Sequence, residues 1–345
     1  MHKVESEHPY RPRNQSPPMT KKTAPVYIGV DVAKATLQMH LLGAQFEFAN
    51  TPKGRAQICE KVARVPGAQV VCEATGGYEQ ALVADLHQAK TPVSVVNPAQ
   101  VRAAALAKGQ RAKSDPIDAR GLTDYGTRYQ PEPTPPRSKV QLELIALVQW
   151  LKQLVNAQAV AKAQDEHHSA SFVAQQHGKL LAHYQSQIKA VEAKLQVLQE
   201  QDRTLQQRVE RLDAIAGVGA RTALLLLACL PELGSLNRRE AAALSGLAPW
   251  TRESGSMKGK RCIGGGRAAV RVALYMSALS ATRCNPILKA FYQGLIGRNK
   301  PAKVALTAVM RKLVIHMNNE LKKLAAAPTA EEKETTNKFK KSVAK

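Results

Sequence analysis

Two carboxylates stand three residues apart in Lys113-Ser114-Asp115-Pro116-Ile117-Asp118-Ala119-Arg120, with basic residues on either side. Side chains set about one helical turn apart point to the same side. Carboxylates so placed can hold a hard cation such as Mg²⁺ through oxygen ligands. The same octapeptide also reads as an ordinary helix start. Asp115 would be the N-cap and Pro116 the first helical residue, with Asp118 at the third position, where a carboxylate favours the helix dipole. Taken alone the stretch reads first as that cap, and acidic residues elsewhere must decide between the two.

The elements that would position these groups follow from hydrophobic patterning. Val26-Tyr27-Ile28-Gly29-Val30-Asp31-Val32 is a β-branched apolar run, a buried strand with Asp31 inside it. A lone carboxylate there is costly unless it is paired or binds metal. Thr36 to Leu42 and Gln45 to Ala49 read as two more strands turned around Gly43, so an antiparallel meander is expected. Thr51-Pro52 opens a helix to about Val65. Gln69 to Glu73 is a strand ending on Glu73, followed by Ala74-Thr75-Gly76-Gly77. Residues 78–89 read as a helix, Pro92 to Val96 as a strand and Pro98 to about Lys108 as a helix. The octapeptide then opens a last helix to about Tyr125. Over 25–129 this is β-β-β-α-β-α-β-α, the order of the ribonuclease-H-like (RuvC-like) α/β fold. That architecture carries one metal-binding carboxylate on its central first strand, one at the end of the fourth strand and others on a helix near the domain's C-terminus. Asp31, Glu73 and the Asp115/Asp118 pair fall at those places.

Composition narrows the class of partner. The 345 residues carry a net charge of +23, which points to a polyanion and most commonly nucleic acid. Aromatics are 4%, too few for a basic amphipathic membrane anchor. The longest apolar run, Thr222 to Leu230, is far short of a membrane span. The five cysteines are scattered without a C-x-x-C pair, which excludes a zinc knuckle and a disulfide framework. Pro and charge stand where a signal peptide would have an apolar core, so a cytoplasmic, nucleoid-associated protein is expected. Residues 1–24 and 326–345 read as disordered tails, with Met19 as an alternative start.

Pro131, Pro133, Pro135 and Pro136 make 130–137 a stiff linker. From 138 to 211 the pattern is helical. Leu144, Leu147, Leu151 and Leu154 form one seam. Leu181, Tyr184, Ile188, Val191, Leu195, Leu198, Leu205, Val209 and Leu212 form another, interrupted only at Asp202. This predicts a coiled coil, either a hairpin turned at His167-His168-Ser169-Ala170-Ser171 or an intermolecular dimer. The adjacent histidines point apart on a helix and argue against a metal pair. The mostly α segment 212–325 follows. Gly217 and Gly219 match a helix–hairpin–helix, whose backbone N–H groups can bind a phosphate. A Gly-, Ser- and cation-rich loop runs from Thr251 to Arg267, with Lys258, Lys260, Arg261 and Arg267 suited to phosphate. Arg267 to Arg283 and Pro301 to about Leu324 read as helices, with Lys300 and Lys303 at the start of the second.

Across most of 26–325 the chain resembles the DEDD-type insertion-sequence transposases of the IS110 group, the bridge-RNA-guided recombinases. The resemblance rests on Gly29-Val30-Asp31-Val32-Ala33-Lys34, Cys72-Glu73-Ala74-Thr75-Gly76 and Lys113-Ser114-Asp115-Pro116-Ile117-Asp118-Ala119. In the second half it rests on the Gly217/Gly219 hairpin, Ser245-Gly246-Leu247-Ala248-Pro249, Ser254-Gly255 and Lys300-Pro301-x-Lys303-Val304-Ala305-Leu306. It implies that Asp31, Glu73, Asp115 and Asp118 hold Mg²⁺ and that a loop serine is the nucleophile. Ser254, followed by Gly255, matches the family pattern, and Ser256 is its competitor. It further implies a dimer or tetramer acting on donor and target DNA with an element-encoded bridge RNA, through a phosphoserine–DNA ester that is later religated. Two other readings stand beside it. One is a RuvC-type nuclease that hydrolyses branched nucleic acid with the acidic cluster alone. The other is a non-enzymatic scaffold whose carboxylates only cap helices.

Overall fold

A computed structural model of the chain describes residues 25–326 apart from 111, 113, 165–170, 252, 255, 256 and 260. Both proposed tails (save Ala326), Met19, the His167/His168 turn and Ser256 lie outside the described residues. The chain divides after Pro136 into two units.

The first unit is built on a five-stranded sheet. β1 (Val26–Val32), β2 (Thr36–Leu41) and β3 (Ala44–Ala49) form an antiparallel meander. Its β2–β3 turn is the two residues Leu42 and Gly43, both at positive φ, the backbone of the tight hairpin turns that match strand twist. After α1 (Pro52–Ala63), β4 (Ala68–Glu73) pairs parallel with β1. After α2 (Gln80–Gln88), β5 (Val93–Val96) pairs parallel with β4. The strand order is β3-β2-β1-β4-β5. α3 (Pro98–Ala107) and α4 (Asp115–Tyr129) complete the unit. The helix starts are local. Thr51 Oγ1 accepts from Gly54 N and Asn97 Oδ1 from Ala99 N, each just before a proline in the first turn.

Strand alternation sorts the two faces of this sheet. Ile28, Val30 and Val32 of β1 pack with Val70 and Cys72 of β4 and with Ile58, Val62, Leu82 and Leu86 of α1 and α2. Tyr27 and Val71 face the other way, onto Val101 and Leu122 of α3 and α4.

In the second unit α5 (Lys139–Gln164) and α6 (Ser171–Gln201) lie antiparallel. Glu143 pairs with Lys194, Gln158 with Gln185, and the Ala161 carbonyl with His177 Nε2, a progression only antiparallel helices allow. The seam predicted through Leu205, Val209 and Leu212 does not continue α6. Asp202 breaks it, because its carboxylate accepts from Leu205 N at 2.7 Å and caps a new helix, α7 (Arg203–Asp213). The buried leucines of α7 join one core with α8 (Ala220–Cys229), α10 (Ala268–Cys284) and α12 (Ala302–Ala326). α9 (Arg238–Leu244) starts with a capping box between Asn237 and Glu240, and α11 (Pro286–Ile296) begins at the Asn285 cap. The buried Asn318 of α12 accepts from Gly234 N and donates to Leu236 O, which fixes the loop before α9.

The segment expected as a loop after Trp250 is a β-hairpin. β6 (Pro249–Trp250) pairs with β9 (Cys262–Ile263), and β7 (Glu253–Ser254) with β8 (Met257–Lys258). No helix among the described residues is long and apolar enough to cross a membrane.

Candidate active site

Asp31 sits two residues beyond Gly29 and four beyond Tyr27 on β1, so all three face α4. The parallel register that sets Val30 beside Cys72 carries Asp31 and Glu73 to neighbouring strand ends. Glu73, two residues past the inward Val71, faces the same side. α4 runs antiparallel to β1. Gly126 lies over the Tyr27 ring, while Ala119 and Thr123 lie over Gly29. Its first turn, with Asp115 and Asp118, therefore points toward the Asp31 end of the strand. Asp31, Glu73 and Asp118 are half-buried and Asp115 is exposed.

The close approach of α4 depends on one missing side chain. A Cβ on Gly29 would stand 2.0 Å from the Ala119 carbonyl and 2.6 Å from Thr123 N. The Gly29 N–H donates to Thr123 Oγ1 at 2.8 Å, and His40 Nδ1 lies 2.9 Å from the same oxygen. The capping reading of Asp115 is displaced by one residue. Ser114 is the N-cap, without a side-chain capping bond, and Asp115 is the first helical residue. Asp118 is then the fourth, not the third, and its N–H donates to Ser114 O at 2.8 Å.

Glu79 was missed by the sequence reading. Its Oε2 accepts from Thr75 N at 3.1 Å, Thr75 Oγ1 at 3.3 Å and Gly77 N at 2.9 Å, which ties down the loop leaving Glu73. The signal available was a carboxylate just after a Thr-Gly-Gly turn. Cys72, beneath this end of the sheet, is pushed up to about 12, by burial first and then by Glu79 and Glu73, so it stays a neutral thiol.

In the second unit Ser254 is exposed and ends β7, paired across from Met257. The hairpin's root is held tightly. Gly246 and Gly266 both have positive φ, and a Cβ on Gly266 would meet Gly246 N at 2.2 Å. Arg267 N donates to Leu244 O, and Arg271 Nη1 to Gly265 O, both at 2.7 Å. Arg267, expected on phosphate, instead grips Glu232 through two 2.6 Å bonds and reaches Cys229 O at 2.9 Å. Burial raises the Glu232 pKa, but the Arg267 hydrogen bonds and charge outweigh it and leave the carboxyl below its ordinary value.

Gly217, expected to bind phosphate through backbone N–H groups, has positive φ and packs against α10, where a Cβ would lie 2.6 Å from Ala281. Gly219 is open, exposed and the N-cap of α8. Arg261, Lys300 and Lys303 are exposed, with Lys303 in the first turn of α12. Lys258 lies on β8, and Lys260 falls outside the described residues.

A DEDD-type IS110 transposase family model matches residues 28–168, which take in Asp31, Glu73, Asp115 and Asp118. A second model, the transposase IS116/IS110/IS902 family, matches residues 209–293, which take in the glycine hairpin and Ser254. The chain belongs to the IS110 family of transposases. Its relatives include the pilin gene-inverting proteins of Moraxella lacunata and Moraxella bovis. Each is 27% identical over 302 residues, covering 84% of this chain and 93% of the relative. An IS110 uncharacterized 43.6 kDa protein of Streptomyces coelicolor is 30% identical over 105 residues, 30% of this chain and 26% of that one.

Membership of this transposase family marks the chain as an enzyme of DNA rearrangement and points to dependence on a divalent metal. The donor chemistry fits, since carboxylate oxygens are what a hard divalent cation takes. Among the described residues no three acidic, His or Cys side chains already stand as a metal-holding group. The fit lies in the donor types and their shared end of the sheet.

Proposed function

We propose that this IS110-family transposase cuts and rejoins DNA strands of an insertion sequence, with Asp31, Glu73, Asp115 and Asp118 holding Mg²⁺ and Ser254 as nucleophile. The observation that supports it most is the β1–β4 register, which brings Asp31 and Glu73 to one end of the sheet on the face that α4 covers. Bound there, Mg²⁺ would supply Lewis-acid stabilisation of a phosphate oxygen.

Ser254 Oγ forms a bond to the scissile phosphorus as the bond to the deoxyribose oxygen breaks. The serine proton leaves to a base, and the departing oxygen takes up a proton. The phosphoserine ester keeps the bond energy, so attack by a new strand's hydroxyl releases the serine and rejoins DNA without ATP. Arg261, Lys258 and Lys260 offset charge growing on the phosphate. Lys300 and Lys303 support the same reading. They are cations at the start of α12, where the helix dipole disfavours positive charge and an anion would compensate.

The exposed cations suit backbone contact, which carries no sequence information. We assign sequence reading to a bridge RNA that pairs with donor and target DNA, and the working form to a dimer or tetramer. The names of the Moraxella relatives, which describe inversion of a pilin gene, favour rejoining over the hydrolysis of a plain RuvC-type nuclease. The test is to purify the protein, sequence the RNA that accompanies it, and ask whether that RNA supports recombination between its two matching DNAs. Hydrolysis of the same DNAs without joined products would replace this reading by the nuclease.

A further inference from the structure

We propose that Trp250 is a stacking platform for one unpaired nucleobase beside the basic hairpin, an inference that rests on the nucleic-acid reading above. Trp250 is one of only two tryptophans in a chain with 4% aromatics, yet it is 63% exposed. Its ring does not pack into the unit's core, and the indole N–H donates to Gly264 O at 3.3 Å. An exposed, oriented indole is what base stacking needs, since every base offers a π face.

The surroundings fit the ligand. Pro249, Cys262 and Ile263, the other residues of this ladder, are exposed as well. Thr251 to Arg267 holds five cations, Arg252, Lys258, Lys260, Arg261 and Arg267, against the single acid Glu253. Arg267 is held by Glu232 and Arg261 is exposed, and the cations of this stretch suit a sugar–phosphate backbone. A strand opened for exchange, or a guide RNA, provides unpaired bases.

A Trp150→Phe variant leaves Trp250 as the sole tryptophan reporter. It is titrated at fixed salt with oligothymidylate, oligouridylate, a DNA duplex without unpaired bases, and inorganic polyphosphate. The expected result is quenching by the single strands and little by duplex or polyphosphate, and the ratio of the DNA and RNA responses identifies the source of the base. In the otherwise unchanged protein, Trp250→Ala should bind single strands about 5- to 150-fold more weakly. Trp250→Phe should retain most of that affinity, and duplex affinity should hold in both, which also reports folding. Equal quenching by polyphosphate, or a Trp250→Ala variant that binds single strands normally, overturns the stacking role while leaving the transposase reading intact. Failure of the unaltered protein to bind any of the nucleic acids overturns both.

Discussion

The Gly29 N–H donates to the Thr123 hydroxyl across 2.8 Å, and this contact sets the depth at which α4 lies on β1. It therefore sets where Asp118 stands relative to Asp31. Gly29→Ala should destabilise the protein by roughly 1–3 kcal/mol, because its Cβ would meet backbone atoms that cannot turn aside. Gly121 in the same helix has open space, so Gly121→Ala should gain up to about 1 kcal/mol. Urea denaturation of the two variants beside the unaltered protein checks both signs.

His40 shares the Thr123 hydroxyl. Its pKa is lowered, first by burial and then by Arg120, with Asp124 opposing. A group whose folded pKa lies below its unfolded value contributes stability that is present at higher pH and lost as pH falls. The loss should therefore begin near the ordinary histidine value of about 6.5 and be complete below the folded pKa. His40→Gln should remove that component. Denaturation midpoints at pH 8 and pH 5 should then converge more closely in the variant than in the unaltered protein.

Arg267 and Glu232 give a prediction that separates a structural cation from a phosphate contact. Arg267→Lys loses the two-pronged grip and should cost about 1 kcal/mol or less, since both side chains are more than a third exposed and solvent screens them. In the uncharged Arg267→Gln variant the salt dependence of DNA binding should stay as it is in the unaltered protein. A slope reduced by about one would instead put Arg267 on a phosphate.

Much of the first unit was legible because its signals are local. β-branched runs, Thr51-Pro52, Asn97-Pro98 and the glycine turn at Gly43 each mark an element, and their order fixes which strand ends carry Asp31 and Glu73. What escaped depends on contacts remote in sequence or on competition between local rules. Gly29 reads as a plain strand residue until α4, ninety residues on, lies against it. Asp202 looked like a blemish in a heptad seam, but a carboxylate that can reach Leu205 N makes a helix start there. The ladders between 249 and 263 lie in a stretch with little β propensity of its own, and at their root Gly246 and Gly266 interlock. Arg267 and Gly217 drew a phosphate role from their types, and their contacts with Glu232 and Ala281 lie too far off in sequence to be read there.

The acidic end makes its own prediction. Asp31→Asn and Glu73→Gln should each lower strand cleavage on the order of 10²-fold or more while DNA binding persists. Glu79→Ala should act through the loop after Glu73, and faster amide exchange at Thr75 and Gly77 would show it. Cleavage by Asp31→Asn at the normal rate would take the acidic cluster out of the chemistry.

The most direct measurement is the covalent bond itself. End-labelled donor DNA is incubated with the protein, RNA and Mg²⁺, denatured, resolved by electrophoresis, and the adduct peptide is identified by mass spectrometry. The account predicts a DNA–protein adduct on Ser254 that is absent from Ser254→Ala and retained by Ser256→Ala. Cleaved DNA without any adduct, or full strand exchange by Ser254→Ala, would contradict it.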